Sequence, residues 1–304
     1  MELHHVAARD GRLSDILRQD MKMSSGLVNR VKWQGELLIN GVSVHTDHPV
    51  APGDRILCRV AEPEQNYPAE DGPLRVLYED EAILAVDKPA GMLIHPSRSR
   101  ISGTLANFVQ GYYQKTGGQG AFHPITRLDR DTFGVVLIAK NSHIHALLGE
   151  LHRQGALNKT YEALVFGHMP AAEGRIDGPI ARLPLPSMLR QVSPEGKPSL
   201  TEYRVLEEAQ GFSRVLLMPV TGRTHQLRVH CAYVGCPILG DPQYGSEASR
   251  IFSEERGLCS QVLCARSLEF PHPLTGQSMT IRSKMPLLPE AQQQWEEKCE
   301  KPTF

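Results

Sequence analysis

The feature that most constrains the fold is a dense group of charges placed directly before an apolar run. Residues 123–141 read HPITRLDRDTFGVVLIAKN, and within them residues 135–139 are uninterruptedly apolar. Such a run favours burial, whereas the charges in residues 127–131 must stay at the edge of a core or find partners there. The pattern therefore predicts a buried strand that holds an aspartate, Asp129, at its entrance.

Length and composition are those of an ordinary globular protein. The chain has 304 residues, enough for one large domain or for a large domain with a small companion, and 40% of them are hydrophobic. The formal net charge is −1. A nucleic-acid partner would therefore have to be bound by a local basic surface and not by the field of the whole protein.

The cysteine pattern and the hydropathy pattern both point to the cytoplasm. The 6 cysteines contain no C-x-x-C pair, so reduced thiols are expected. No apolar segment approaches the roughly 20 residues that a membrane span needs, and the first residues lack the apolar core of a signal peptide. We expect a cytoplasmic monomer without membrane contacts.

Residues 1–62 have the pattern of a small module. Apolar residues recur at helical spacing over residues 13–31 with a break at 24–26, which predicts two short helices. Asn40-Gly41 then predicts a β-hairpin between alternating apolar residues. The acidic, proline-containing residues 63–73 predict a linker.

Residues 74–290 are dominated by short strands that do not alternate regularly with helices. This predicts an α+β fold with a mixed, largely antiparallel central sheet flanked by helices and loops. Residues 291–304 form a tail with the pattern of a terminal helix followed by a frayed end. Strand patterns cover residues 75–89, 133–141, 159–167, 200–209, 212–220 and 279–283, and helical patterns cover 103–115, 141–155 and 224–235.

Two interpretations of residues 127–131 stay open on spacing alone. In the first, the segment is a solvated loop whose charges pair with one another, and such exposed pairs contribute little. In the second, Asp129 is held at the edge of the buried strand among cations and remains charged. It would then be available as a nucleophile or a base.

A second cluster of polar residues lies between Val220 and Gly245. Its imidazoles, His225 and His230, are five residues apart, which does not match the spacing of metal ligands on one helical face. We therefore expect no metal. The guanidinium groups of Arg223 and Arg228 are suited to carboxylates or phosphates.

Two further elements carry weaker signals. In DKPAGMLIHPS, residues 87–97, Lys88 and His95 lie in a turn-rich loop where they would face a ligand, although the loop is equally explained as a strand connection. Tyr161 begins an apolar strand, where a lone tyrosine usually fills a core or an interface.

Taken together and in order, these elements resemble the RluA-type pseudouridine synthases. The resemblance extends from about Val76 to about Pro286. It rests on the motifs DKPAGMLIHPS, TRLDRDTFG, KTYEALVFG, TGRTHQLRVH and LCARSLEFPHPLTG. The N-terminal module is similar to the S4-type RNA-binding domain, with basic residues that would contact phosphates: Arg12, Arg18, Lys22, Arg30 and Lys32.

The resemblance implies an isomerase that converts uridine within ribosomal or transfer RNA to pseudouridine without a metal or an organic cofactor. It assigns the nucleophile to Asp129 and the ion-pair partner of this carboxylate to Arg223, with Arg228 as the second choice. Tyr161 would stack on the base and is a candidate for the general base at C5. These three residues, Asp129, Tyr161 and Arg223, are the predicted catalytic set.

The remaining predicted contacts are to RNA. A stacked uridine must be flipped out to reach a buried carboxylate. Arg127 would fill the vacated space or hold a flanking phosphate, and the alternative for this residue is a surface ion pair with Asp131. Substrate binding is also expected from Arg228, His225, Lys88 and His95.

Two residues depart from the family pattern, and two other functions compete with the synthase. The family usually has histidine at the position of Thr126 and serine at that of Phe133, so altered packing or RNA contacts are expected there. One competing function is a non-catalytic RNA-binding protein that retains the fold. The other is a hydrolase in which Asp129 activates water. This function is disfavoured because the sequence lacks the second carboxylate motif that glycosidic hydrolysis normally uses.

Overall fold

The computed structural model describes residues 1–62, 65, 67–97, 100–118, 120–184 and 186–288. The predicted tail 291–304, with its terminal helix, lies outside the described residues. No helix within the described ranges is long and apolar enough to cross a membrane.

The N-terminal module has a hydrophobic core of its own, built from residues between Ala7 and Val60. A short α1 continues directly into a π-helical turn at Ile16–Asp20, and α2 is capped by Ser24, whose Oγ accepts a hydrogen bond from Leu27 N (3.2 Å). The helices are α1 (Leu13–Asp15) and α2 (Ser25–Gln34). The strands are β1 (Glu2–Val6), β2 (Gly11–Arg12), β3 (Glu36–Ile39), β4 (Val42–Ser43), β5 (Pro49–Val50) and β6 (Arg55–Arg59).

The predicted helix pair and ribbon are both present in this module. The hairpin turn joins β3 to β4, and Asn40 (φ 53°) and Gly41 (φ 84°) have the two positive φ angles of a type I′ turn. Strand β1 was not predicted, because its sequence ELHHV has a single large aliphatic residue before its final valine. It pairs with β6 over its whole length in an antiparallel sheet of order β1-β6-β3-β4.

The larger part of the described chain is built on a ten-stranded sheet of order β12-β15-β16-β11-β17-β10-β8-β7, with β18 paired to β17 and β9 to β10. Its neighbouring strands are antiparallel except β10 and β17, which are parallel. This confirms the predicted fold class. The strands are β7 (Arg75–Glu79), β8 (Ile83–Lys88), β9 (His123–Pro124), β10 (Phe133–Ala139), β11 (Asn158–Phe166), β12 (Glu173–Asp177), β15 (Leu200–Ala209), β16 (Phe212–Pro219), β17 (Leu263–Pro271) and β18 (Ser278–Arg282).

A two-stranded hairpin and four helices complete the described fold. The hairpin consists of β13 (Ile180–Arg182) and β14 (Arg190–Val192). The helices are α3 (Leu105–Thr116), α4 (Ser142–Arg153), α5 (Gln226–Tyr233) and α6 (Glu247–Glu254).

The apolar run 135–139 is buried because β10 lies between two core layers. Val136 and Ile138 pack with residues of α3, whereas Val135 and Leu137 pack with residues of α4 on the other face of the sheet. Successive side chains of a strand point to opposite faces, so a strand covered on both faces must be apolar throughout. The charged segment before it is thereby fixed at the edge of the sheet.

Gly134 is required where β10 meets β17. Its φ is +112°, and a Cβ at this position would overlap the carbonyl oxygen of Ala265 and lie 2.8 Å from Ala265 N. We expect Gly134→Ala to lower the free energy of unfolding by about 4 kcal/mol or more, because backbone strain adds to the clash. Urea denaturation followed by circular dichroism measures this change.

Gly149→Ala is the matched control for this substitution. Gly149 lies inside α4, and nothing is within 4 Å of the position that its Cβ would take. Alanine there should stabilise the protein by about 1 kcal/mol, as expected for a helix interior. Equal effects of the two substitutions would contradict the proposed packing of Gly134 against Ala265.

The predicted linker, residues 63–73, packs on the larger sheet domain where it is described. Tyr67 lies edge-on to Phe122, with ring centroids 6.0 Å apart. Gln65 Oε1 accepts a hydrogen bond from Phe122 N (2.6 Å), and Asn107 Nδ2 donates to Pro68 O (2.8 Å). The composition of the segment predicted a linker, and its one aromatic residue, the Gln65 side chain and the Pro68 carbonyl bind to the domain.

The N-terminal module contacts α4 directly. Arg30 Nη2 donates to Ser142 Oγ (2.9 Å), and Glu62 Oε2 accepts from Ser142 N (3.2 Å) at the start of that helix. Arg30 was predicted to bind phosphates. Its guanidinium is instead engaged in this contact with the larger domain.

Candidate active site

A cleft of about 870 Å³ lies where the loop before β10 meets the loop before α5 and the start of β11. The charged segment 127–131 forms one wall and residues 221–228 form the other. Most of the predicted site residues line this cleft: His95, Arg127, Asp129, Tyr161, Arg223, His225 and Arg228.

Asp129 is anchored by its neighbour in sequence. Leu128 is buried in the core cluster that contains Val136, so the backbone at Asp129 cannot move away from the sheet. The Asp129 side chain is 29% exposed, and its Oδ2 accepts a hydrogen bond from Arg228 Nη1 (3.0 Å). Its Oδ1 accepts no hydrogen bond from the described residues and is available in the cleft.

Arg228 is held rigidly by a second carboxylate. Its Nε and Nη2 donate to Asp241 Oδ2 (2.7 Å) and Oδ1 (2.8 Å), and Nη2 also donates to Gln243 Oε1 (2.8 Å). The side chains of Arg228 and Asp241 are 5% and 0% exposed. Burial by itself lowers the pKa of Arg228, but the hydrogen bonds and charges of Asp241 and Asp129 outweigh it and raise the pKa above its usual range.

The predicted ion pair between Arg223 and Asp129 is wrong, and the second choice, Arg228, makes it. Arg223 is exposed, and its Nε donates to the backbone carbonyl of Pro198 (3.2 Å). The reason lies in the backbone, since His225 adopts φ 58° and α5 begins directly after it. Arg228 therefore lies on the first turn of α5 facing the core, while Arg223 remains outside the turn.

The surroundings of His225 favour one tautomer of its ring. Tyr244 Oη accepts from Arg190 N (3.0 Å) and lies 2.8 Å from His225 Nδ1. Among the described residues, His225 Nδ1 is the one acceptor within reach of the Tyr244 hydroxyl proton, so Nδ1 accepts and Nε2 carries hydrogen. Nε2 faces Asp129 Oδ2 at 3.9 Å, where a donor is favourable and a lone pair would be repelled. Burial, together with the charges of Arg228 and Arg190, lowers the pKa of His225 against the opposing effect of Asp129.

Tyr244→Phe tests this arrangement. The variant leaves Arg190 N without an acceptor and His225 Nδ1 without a donor, so we expect a loss of about 2 kcal/mol in the free energy of unfolding. The pKa of His225 should rise, because the hydroxyl no longer stabilises the neutral ring. Nitrogen-15 NMR of the His225 side chain over a pH titration measures both the tautomer and the pKa.

The aromatic ring itself serves as the internal control. Arg228 Cζ lies 4.9 Å from the centroid of the Tyr244 ring, and phenylalanine retains that contact. Denaturant unfolding should therefore show only a moderate loss in the free energy of unfolding, because the contacts of Arg228 are retained. An unprotonated Nε2 in the wild type would contradict the proposed tautomer.

Tyr161 reaches the cleft from β11. Its ring packs between two core clusters, and a β-bulge opposite Thr160 and Tyr161 alters the pairing of β11 with β17 at this point. Burial, followed by the charge of Asp129, raises the pKa of its phenol above the usual value. Such a phenol stays protonated at neutral pH, which suits stacking and hydrogen-bond donation better than action as a base.

The alternative interpretation of Arg127 is excluded by the pairing of its neighbours. Asp131 is bound by Arg130, whose Nε and Nη2 each donate to it at 2.9 Å. Arg127 is exposed at the cleft and forms no hydrogen bond or ion pair with the residues that the structure describes. It is therefore available to a ligand.

Lys88 does not face a ligand, contrary to the prediction. Its side chain is fully buried, and Nζ donates to the carbonyls of Pro89, Met92 and Arg130, each at 2.9 Å. Burial lowers the pKa of Lys88 to about 7 against the opposing charges of Asp131 and Asp129. Its position ties the loop after β8 to the loop that carries Asp129. An apolar residue at position 88 could not donate these three hydrogen bonds.

His95 lines the cleft, as predicted for a residue that faces a ligand. Its ring lies edge-on to Phe122, with centroids 5.3 Å apart. Burial and the charge of Arg127 lower the pKa of His95, so the neutral imidazole predominates at neutral pH.

The two departures from the family pattern are buried. Thr126 is in the core, and its Oγ1 accepts a hydrogen bond from Leu137 N (3.0 Å). Phe133 begins β10 and is also buried. Both residues therefore contribute to the packing around the Asp129 loop.

Three site residues were missed from sequence. Asp241 and Tyr244 lie in GDPQYG, where glycine, proline and aspartate indicate only a turn. Lys159 lies two residues before Tyr161 and also lines the cleft. Alternation along the strand would have placed it beside Tyr161. Within the described part of the chain, no group of three or more histidine, cysteine, aspartate or glutamate side chains is arranged to hold a metal ion.

Comparisons with known proteins identify the family. The model of the RNA pseudouridylate synthase family matches residues 82–233. An uncharacterized RNA pseudouridine synthase of Bacillus subtilis is 36% identical over 88% of this chain and 93% of its own length. The ribosomal large subunit pseudouridine synthase D of Escherichia coli (strain K12) is 34% identical over 82% of this chain and 79% of its own length.

Solved structures agree with these relatives. Human RNA pseudouridylate synthase domain containing 1 superposes with a TM-score of 0.59 at 29% identity, covering 73% of this chain and 87% of that one. Human RNA pseudouridylate synthase domain containing 4 gives a TM-score of 0.56 at 26% identity, covering 70% and 88%. The chain therefore belongs to the RNA pseudouridine synthase family and is an isomerase, as the RluA-type resemblance predicted.

Proposed function

We propose that the protein converts uridine to pseudouridine in large-subunit ribosomal RNA, with Asp129 as the nucleophile. The observation that carries this proposal is the anchored carboxylate: Asp129 Oδ2 is held by Arg228 at 3.0 Å, while Oδ1 is available in the cleft. The choice of RNA follows relatives whose names state that they act on the large ribosomal subunit.

The reaction makes definite demands on the site. The Asp129 carboxylate bonds to C1′ of the ribose as the N1–C1′ bond breaks, and the uracil leaves with the electron pair. After the ring turns, C5 attacks C1′ and displaces the carboxylate, the proton on C5 is lost to water, and N1 gains a proton. A carboxylate with one oxygen held and one available can form the bond to C1′ and can later be displaced from it.

In the proposed complex, Tyr161 and His225 hold the detached ring. Tyr161 offers an aromatic face and a protonated hydroxyl from β11. His225 offers a neutral Nε2–H on the opposite wall, next to Asp129. A hydrogen-bond donor there stabilises negative charge on a uracil carbonyl while the ring is detached.

The electrostatics of the cleft suit a polyanion, although the whole chain carries a formal charge of −1. The two carboxylates that line it, Asp129 and Asp131, are each paired with an arginine. Arg127 and Arg223 have no carboxylate partner among the described residues and face the same space. These charges supply the local basic surface that RNA binding needs.

Arg127 is positioned to assist base flipping. A uridine within a helix must leave the stack to reach Asp129, at a cost of a few kcal/mol. Arg127 lies two residues before Asp129 and lines the cleft. In the proposed complex it fills the space left by the uridine or binds the adjacent phosphate.

We also propose that the N-terminal module is an S4-like domain that contacts RNA. Its exposed basic residues Arg12, Arg18, Lys22 and Lys32 are available to phosphates. Arg30 is excluded from this role by its contact with Ser142. The module would thereby extend the basic surface beyond the cleft.

Tritium release tests the proposed function. An in vitro transcript of bacterial large-subunit ribosomal RNA, labelled with tritium at C5 of uridine, is incubated with the wild-type protein. Release of tritium into water without free uracil is expected, and mapping of pseudouridine then gives the position. Free uracil would indicate a hydrolase, and no release from the ribosomal transcript would contradict the proposal.

A further inference from the structure

Lys159 adds a positive charge to the cleft that no residue of the described chain balances. Lys159 on β11 and His152 in the last turn of α4 both line the cleft. Lys159 is partly buried and forms no hydrogen bond or ion pair with the described residues. Burial lowers the pKa of Lys159, and the pKa of His152 is lowered by burial and then by the charge of Lys159.

Lys159 differs in this respect from the other lysines of the described chain that are not exposed. Lys88 Nζ is satisfied by three carbonyl oxygens, and Lys140 Nζ is paired with Glu79 Oε1 at 2.9 Å. A partly buried ammonium without a partner destabilises the folded protein. The absence of a counter-charge at Lys159 is therefore costly unless an anion occupies the site.

The position of Lys159 relates it to the reacting nucleotide. Lys159 and Tyr161 are two residues apart on β11, so they project from the same face of the strand about 7 Å apart. Both line the cleft, whereas Glu162, the next residue along β11, does not line it and is bound by Arg214 and Arg266. An anion on Lys159 would thus lie beside a base that rests on Tyr161.

We propose that Lys159, with His152 beside it, binds a backbone phosphate of the RNA next to the flipped uridine. This inference rests on the proposed function, because it places the uridine at Tyr161. A phosphate fits because it is anionic and compact, and an ammonium contacts it as a point charge. The carboxylates that line the cleft are already paired with Arg228 and Arg130, so they do not compete for the lysine.

The first test is the salt dependence of RNA binding. Lys159→Met retains the length of the side chain and removes the charge, and Lys159→Arg retains the charge. On the ribosomal RNA transcript, Lys159→Met should lower the affinity about tenfold. It should also reduce the slope of log affinity against log salt by about 1. Lys159→Arg should stay close to the wild type in both.

The matched control is Lys284→Met. Lys284 is exposed and is not among the residues that line the cleft. The same loss of charge at that position should leave the slope of log affinity against log salt equal to that of the wild type. Equal slopes for Lys159→Met and the wild type would overturn the proposal.

Thermal stability separates a ligand-binding role from a structural one. Because Lys159 has no partner among the described residues, Lys159→Met should melt without RNA at the wild-type temperature or above it. A marked decrease in melting temperature would indicate that the ammonium supports the fold, and would count against the phosphate site.

A phosphate scan locates the contact. Short RNAs that contain the mapped uridine carry one uncharged methylphosphonate at each position in turn. The wild type should lose affinity at one position next to the uridine, and Lys159→Met should be insensitive at that same position. Equal sensitivity of both proteins at every position would overturn the inference while tritium release still supported the synthase. If no uridine releases tritium, the proposed function fails, and the salt slope still reports whether Lys159 binds phosphate.

Discussion

Replacement of Asp129 with asparagine will reduce tritium release from uridine C5 by about 10⁴-fold or more and leave RNA affinity within a few-fold of the wild type. Asparagine preserves the shape of the side chain, and its carbonyl oxygen can still accept the hydrogen bond from Arg228 Nη1 that Asp129 Oδ2 accepts at 3.0 Å. It cannot form the bond to C1′. Single-turnover tritium release and filter binding measure the two quantities.

Asp131→Asn is the matched control for this experiment. Asp131 lies two residues further along the same loop and is bound by Arg130, away from Arg228. Its neutralisation should change turnover by less than about tenfold, since exposed ion pairs contribute little. Equal activity of Asp129→Asn and the wild type would show that another group is the nucleophile. A similar loss in both variants would indicate a general effect of charge on the loop.

The fold could be predicted from the sequence where local pattern and packing agree. The run 135–139 is apolar on both strand faces, and β10 is covered by α3 on one face and α4 on the other. Strand β1 escaped prediction because its pairing with β6 is between residues that are 57 positions apart at Glu2 and Arg59. Such long-range pairing leaves little trace in a local pattern.

The candidate site was predictable as a set of motifs but not as a set of contacts. Arg223 and Arg228 belong to the same motif, and which of them meets Asp129 depends on the left-handed backbone of His225 and the start of α5. The contact itself joins residues 99 positions apart. Lys88 shows the converse case, since a lysine at the start of a turn-rich loop was predicted to contact a ligand and is instead buried among carbonyls.

Asp241 is the second carboxylate bound to the Arg228 guanidinium, and it sets the orientation in which Arg228 meets Asp129. Asp241 is fully buried and binds Arg228 through both oxygens, and its Oδ1 also accepts from the backbone of Gln243 (2.9 Å). Arg228 therefore has one orientation, which directs Nη1 to Asp129. Asp241 lies in a sequence that is typical of a turn. The sequence therefore indicated Asp129 as the nucleophile but did not indicate Asp241 as the residue that orients Arg228.

Arg228→Met will both destabilise the protein and reduce its turnover. The variant leaves the Asp241 carboxylate buried without a cation, which should lower the free energy of unfolding by about 3 to 5 kcal/mol. It also removes the hydrogen bond to Asp129, which should reduce single-turnover tritium release about 100-fold or more. Arg223→Met is the comparison, since Arg223 is exposed and bound to one backbone carbonyl, and it should unfold within about 0.5 kcal/mol of the wild type.

The double variant Arg228→Met with Asp241→Asn separates the two effects. Asparagine removes the unpaired buried charge and retains an acceptor for the backbone of Gln243, so part of the lost stability should return. Turnover should stay low, because Asp129 still lacks the donor that holds Oδ2. If turnover returned together with stability, Arg228 would serve only the fold. Persistent loss of turnover in a restored fold would establish Arg228 as the group that positions the nucleophile.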